Sequence, residues 1–228
     1  MKQKTFRAGV TALAAAAAMT AGAAHANLMV NGDFSSPNDG GGYSQTAGIP
    51  GWFSLGRDGH GADTIEVGAS PIYGLPCVSS NCQNLELNSN TYGFVGQFVG
   101  GLSVNRTYQL SWDYGGRPGG GSQVALVFIY DPHTSKSTNL ALDFGSIGTW
   151  SYNRVDFKAT NPGEFIFLYG LPPSVIGLPT GNPSYGNEFT NFNLRGVPEP
   201  TTWATMLLGV FGLGAAARAS RRKVRAAV

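Results

Sequence analysis

Alternation of apolar and polar residues dominates the middle of the chain. Tyr108, Leu110, Trp112 and Tyr114 share one set of alternate positions, and Gln109, Ser111 and Asp113 the other. That pattern predicts a half-buried strand. The run Gly115-Gly116-Arg117-Pro118-Gly119-Gly120-Gly121 follows, and no regular element tolerates it, so it predicts a loop. Residues 124–130 are continuously β-branched, apolar or aromatic, as in a strand covered on both faces, and Asp131-Pro132-His133-Thr134 carries turn chemistry. Leu140, Leu142 and Phe144 alternate again, and Val155, Phe157 and Ala159 are in phase within 150–159. Phe165, Phe167 and Tyr169 follow the Asn161-Pro162-Gly163 turn, and Thr190, Phe192 and Leu194 set the inward face of a last strand. Upstream, 28–34 predicts a first strand, with others at 64–67, 85–87 and 93–99. Trp112, Trp150, Phe157 and Phe167 are in phase with strands and are assigned to the core. No amphipathic helix of ten or more residues interrupts 27–196. Many short strands between Gly- and Pro-rich turns predict an all-β sandwich or barrel.

The two ends follow a different pattern. Lys2, Lys4 and Arg7 precede an apolar stretch over 8–24, and Ala24-His25-Ala26 fits the small-x-small cleavage rule. Residues 1–26 therefore read as a signal peptide, with Asn27 as the mature N-terminus. At the other end, Val197-Pro198-Glu199-Pro200 precedes an uncharged run from Trp203 to Ala217, followed by Arg218, Arg221, Arg222, Lys223 and Arg225. A helix crosses the bilayer core with about 20 residues, so this fifteen-residue run predicts a short transmembrane helix starting near Thr201, its basic end cytoplasmic. The three-part tail over 197–228 resembles the PEP-CTERM sorting signal. That resemblance implies recognition of Pro198, Glu199 and Pro200 by an exosortase, a membrane-embedded cysteine protease. It further implies a location at the inner membrane before processing, then at the cell surface or in the extracellular matrix of a Gram-negative bacterium making exopolysaccharide and biofilm.

Composition sharpens the picture once the ends are set aside. Residues 27–196 hold seven basic and twelve acidic side chains, a balance of −5, whereas the whole chain is +2. The basic stripe that a nucleic-acid partner needs is missing. Cys77 and Cys82 are the only cysteines, which in an exported chain points to a disulfide. Its ring is small and contributes about 2 kcal/mol on the loop-length rule, enough to pin a loop. The segments Asn27-Leu28-Met29-Val30-Asn31-Gly32-Asp33-Phe34, Gly51-Trp52-Phe53, Leu85-Glu86-Leu87, Gln97-Phe98-Val99 and 107–114 follow in the order shown by galactose-binding-like jelly-roll domains, which this region resembles. That resemblance implies a single jelly-roll ectodomain over 27–196 that contacts carbohydrate. Many such domains bind a structural calcium, but Phe189-Thr190-Asn191-Phe192-Asn193 carries asparagine where they often show an aspartate pair.

Candidate chemistry is sparse. His-Glu-x-x-His, Gly-x-Ser-x-Gly and phosphate-loop motifs are all missing from the sequence. Asp58, His60 and Asp63 lie between glycines, where they would bind a cation or line a sugar site, or form a solvated loop. His133, in its turn, reads as exposed. Glu66, Glu86, Glu164 and Glu188 are available as acid pairs for glycoside hydrolysis, and nothing in the sequence places any two of them together. Aromatics in loop-like stretches, Tyr43, Trp52, Tyr73, Tyr92 and Tyr185, are candidates for stacking on a sugar, with Arg117 as a polar contact. The expectation is a non-catalytic, exported surface or matrix protein that contacts extracellular polysaccharide. A purely structural envelope protein and a glycan-processing enzyme are the alternatives.

Overall fold

The structure is a computed structural model that describes residues 26–55, 64–89, 91–198, 207–212 and 218. Residues 27–195 form one compact unit, and the terminal segments belong to a second. Among the described residues twelve strands form two six-stranded sheets. The strands are β1 (Tyr43–Thr46), β2 (Gly48–Ile49), β3 (Trp52–Ser54), β4 (Ile65–Ala69), β5 (Gln83–Glu86), β6 (Phe94–Gly100), β7 (Thr107–Gly115), β8 (Val124–Asp131), β9 (Lys136–Phe144), β10 (Trp150–Lys158), β11 (Gly163–Leu171) and β12 (Glu188–Gly196). Sheet 1 has the order β1-β4-β5-β12-β7-β10, and sheet 2 the order β2-β3-β6-β11-β8-β9. Short 3-10 turns occupy Ser70–Tyr73 and Pro173–Ile176. The fold is thus an all-β two-sheet sandwich.

The core lies between the sheets and follows the period-2 rule strand by strand. Tyr108, Leu110, Trp112 and Tyr114 of β7 are all buried, as their alternation predicts. They meet Val95, Val127, Ile129, Ile166 and Leu168 of sheet 2. Trp112 stacks on Phe192 at 6.0 Å, and Trp52 packs against Phe34 and Phe192 at 5.3 Å each. Inside this layer Asp143 of β9 accepts a hydrogen bond from Trp112 Nε1 at 2.8 Å, and burial pushes its carboxyl up to about 6.

Several sequence expectations need correction. Residues 28–34 form no strand. Asn31 and Phe34 adopt left-handed backbone (φ 51° and 54°), and the Asn31-Gly32-Asp33-Phe34 turn breaks the extended chain. Leu28 N–H still donates to Leu194 O and Gly32 O accepts from Phe192 N–H on the last strand, while Met29 and Phe34 enter the core. The short strands β1 and β2 carry no pattern long enough to predict. Leu142 and Phe144 are exposed, because β9 shifts register at a bulge opposite Val127/Phe128 and turns them to the outer face. Trp150 is half-buried rather than in the core, and its Nε1 donates to Pro76 O at 2.7 Å. Phe167 is buried, but outside the inter-sheet core, as described below.

Cys77 and Cys82 are bridged, closing the loop that leads into β5. At the C-terminus residues 207–212 are helical and exposed, and Arg218 is helical and exposed. No helix among the described residues is long and apolar enough to cross a membrane. The expected span over 203–217 lies mostly outside the described residues, as do Ala24, Glu199, Pro200, Arg221 and Arg222; Ala26 and Pro198 are described and lie in no strand or helix.

Candidate functional site

The outer face of sheet 2 is built almost wholly from rings. Strand alternation sends Val95, Val127, Ile166 and Leu168 inward, so the intervening residues must point out. These are Phe94 and Phe98 of β6, Phe165, Phe167 and Tyr169 of β11, and Leu126, Phe128 and Tyr130 of β8. The antiparallel register sets them in rungs: Phe98, Phe165 and Tyr130 in one, and Phe94, Tyr169 and Leu126 in another. Between them runs Gly96, Phe167 and Phe128, with Phe53 of β3 beside Gly96. Gly96 is what lets this rung close. A β-carbon there would collide with the Phe167 ring and come within 3.1 Å of Phe53 Cζ. Phe167 therefore lies down in the centre of the layer, where Phe53, Phe94, Phe128 and Phe165 surround it at centroid distances of 6.0, 4.8, 5.3 and 5.6 Å. Cross-strand aromatic pairs of this kind stabilise a sheet and fix ring orientation.

One end of this layer opens into a groove of about 460 Å³, lined by Leu55, Phe94, Leu126, Phe128, Ser137, Asn139 and Tyr169. The volume falls within the ordinary range of ligand sites. Its floor is apolar, and its polar groups sit to one side on the exposed edge strand β9, where Ser137 and Asn139 lie opposite Tyr130 and Phe128. No lining residue carries a formal charge at neutral pH. Chemically the groove offers flat ring faces to an apolar surface and a hydroxyl and an amide to neighbouring polar groups. Glu66, Glu86, Glu164 and Glu188 are all buried, and none lines it.

The residues singled out from the sequence lie elsewhere. Trp52 is in the inter-sheet core, 3 % exposed, and its Nε1 donates to Asn31 O. Tyr73 is equally buried, on the outer face of sheet 1, and donates its hydroxyl to Glu66 Oε1 at 2.8 Å. Arg117 lies between the Tyr73 and Tyr185 rings, 5.0 and 4.2 Å from their centroids, and its guanidinium donates to both Glu86 oxygens. Tyr92 is half-buried, Tyr43 is exposed on β1, and His133 is exposed in the β8–β9 turn. Asp58, His60 and Asp63 lie outside the described residues. Among the described residues no group of three or more His, Cys, Asp or Glu is arranged to hold a metal ion. The structure thus brings Tyr73, Arg117 and Glu86 together and keeps Trp52 apart from them. The groove residues carried one sequence signal, the uninterrupted apolar run of β8; it predicted a strand covered on both faces, whereas Leu126, Phe128 and Tyr130 are half-buried and Leu126 and Phe128 line the open groove.

No protein-family model and no curated protein matches this chain. Among solved structures it is similar to a CBM4 module, at 14% identity and TM-score 0.43, covering 74% of this chain and 99% of the other. It is also similar to TmCBM61 in complex with β-1,4-galactotriose, at 11% identity and TM-score 0.46, with 75% and 99% covered. A third is the CBM22-2 xylan-binding domain of Paenibacillus barcinonensis Xyn10C, at 13% identity and TM-score 0.42, with 64% and 92% covered.

Proposed function

We propose that this chain is a non-catalytic glycan-contacting protein, a galactose-binding-like jelly roll whose binding face is the outer surface of sheet 2. The observation that carries the reading is the uncharged groove of Phe94, Phe128, Leu126 and Tyr169 beside Ser137 and Asn139. Sugars present apolar C–H faces and polar hydroxyl edges, and this groove presents rings below and hydrogen-bonding groups at one side. Rigid aromatic rings supply contact area at little entropic cost. The four glutamates available as acid pairs for a hydrolase lie buried away from the groove.

Delivery is the second part of the proposal. Residues 1–26 direct export, and the Pro198-Glu199-Pro200 tail is an exosortase substrate, anchored in the inner membrane by its short helix until processing. Support comes from the order of the sequence elements. Extracellular polysaccharide is then the polymer within reach of the groove.

Affinity electrophoresis and calorimetry against the host's own exopolysaccharide and a panel of neutral polysaccharides test the binding part. At least one polymer should retain the protein, and Phe94→Ala with Phe128→Ala should weaken that retention about tenfold or more, on ring-contact energies of about 0.5–1.5 kcal/mol each. No retention on any polymer would overturn it. Deleting 197–228 tests delivery, with loss of C-terminal processing and mislocalisation as the expected result; unchanged processing and location would refute it.

A further inference from the structure

The outer face of sheet 1 holds a group of side chains that glycan contact leaves unused. Glu66 of β4, Glu86 of β5 and Glu188 of β12 stand directly opposite one another in register, forming one rung across three neighbouring strands. They are 5 %, 1 % and 0 % exposed. Three carboxyls buried side by side are costly unless donors or protons compensate them.

The donors are unevenly distributed. Glu86 accepts Arg117 Nη1 at 3.1 and 3.0 Å and the Gly186 amide at 2.9 Å. Glu66 accepts Gln45 Nε2 at 2.6 Å and the Tyr73 hydroxyl at 2.8 Å. Glu188 accepts only Asn84 Nδ2, at 2.5 Å, and its Oε1 is buried with no hydrogen-bond partner. Among the described residues the one cation against the rung is Arg117, and Tyr73 and Tyr185 are the remaining titratable groups that face it. Burial, followed by the charge of its neighbours, raises Tyr73 further above its ordinary value, so it stays neutral. One guanidinium therefore serves three carboxyls. Burial lifts Glu188 well above the carboxylate range, with the charge of Glu86 next in effect. It also lifts Glu86 to about 8, against the downward pull of Gly186 and Arg117.

The lid over this rung consists of two loops tied to each other. Residues 116–123 supply Arg117, and residues 178–187 supply Tyr185 and the Gly186 amide. Gln123 joins them: its Oε1 accepts the Arg117 and Asn187 amides at 2.9 and 3.0 Å, and its Nε2 donates to Arg117 O at 2.7 Å.

We propose that Glu86 and Glu188, in register with Glu66 and enclosed beneath Arg117 and the Tyr73 and Tyr185 rings, form a latch that holds the 116–123 and 178–187 loops closed and releases them as pH rises. The sign follows from linkage. An opened lid hydrates Glu86 and Glu188 and returns them to ordinary values near 4.5, whereas the closed lid keeps their protons bound. Closure is therefore fully favoured below about pH 4.5, weakens through the interval up to 8, and levels for Glu86 above it.

Amide exchange on the full chain tests this. Protection of the Gly186 and Asn187 amides, corrected for the intrinsic rate, should fall about tenfold or more per pH unit between pH 5 and 8, since each proton released contributes a factor of ten per unit. Glu188→Gln should lower that slope by about one factor of ten per unit, because the amide has no proton to lose. The slope in the unsubstituted protein stands alone if the variant fails to fold. Protection that does not change across this range would overturn the latch. So would an unchanged slope in a folded Glu188→Gln protein. A parallel fall at the Leu168 amide in sheet 2 would mean that the whole sandwich opens, and would overturn a local latch.

Discussion

The two outer faces of this sandwich solve opposite problems. Sheet 2 carries Phe94, Phe128 and Tyr169 outward and leaves a groove open over them. Sheet 1 carries Glu66, Glu86 and Glu188 outward and seals them under two loops. A soluble strand face is usually polar and open, or apolar and covered. Here the apolar face is the open one and the charged face the covered one. Exposed apolar surface costs little locally and is useful for contact, whereas a carboxylate cluster taken out of water needs compensating partners. What separates the two faces is thus which groups each leaves to be satisfied from outside. The rings wait for a ligand, and the carboxyls are served by Arg117, amides and protons.

The largest test of this contrast is Arg117→Ala. It removes the only cation over the rung among the described residues and should cost about 3 kcal/mol or more at pH 9. The loss should be smaller at pH 5, where Glu86 and Glu188 keep their protons; chemical denaturation at both pH values measures it. An equal loss at both would mean that Arg117 acts by packing on its tyrosines. Asp143 offers a comparison within the core. Its carboxyl is raised from 3.8 to about 6, so its contribution to stability is fully present below pH 4 and is lost as pH rises through 6, about 3 kcal/mol in all. Asp143→Asn keeps an acceptor for Trp112 and should flatten that fall in a thermal-melt series.

On the aromatic side, Gly96→Ala should cost about 1–3 kcal/mol by driving Phe167 from its place, and should distort the groove with it. Unfolding midpoints read the first effect and polymer affinity the second. The smallest expected effects belong to single ring removals. Phe94→Ala or Phe128→Ala should each weaken glycan contact by about 1 kcal/mol, about fivefold, without creating any new pH dependence. If a ring removal altered the pH profile, the two faces would be coupled and the contrast between them would fail.

The sequence made the strands legible where alternation ran long. β7 is such a case, since one buried face leaves a clear period of two; in β12 the left-handed Asn191 (φ 55°) breaks that period, so Phe189 enters the core with Phe192 and Leu194 in place of the expected Thr190. The face of a residue was harder to read than its strand. In β6, β8 and β11 both sets of positions are mostly apolar, with Gln97 and Glu164 among the polar members, so Phe94, Phe128 and Phe167 look like core, and only the register between strands shows that they point away from it. The glutamate rung was hidden for a related reason. Glu66, Glu86 and Glu188 come from three separate strands, and no spacing along the chain reveals that pairing will align them. Gly96 was likewise invisible, because its meaning depends on a ring contributed by β11.

The Gln123 bridge constrains how this protein can vary. Its amide is a template that both loops must fit, and Gly186 leaves space for it where any β-carbon would overlap the Gln123 side chain. Insertions in 116–123 and in 178–187 are therefore not independent events. A relative that lengthens one should show a matched change in the other or a replaced Gln123, and a grafted tag or reporter belongs in neither.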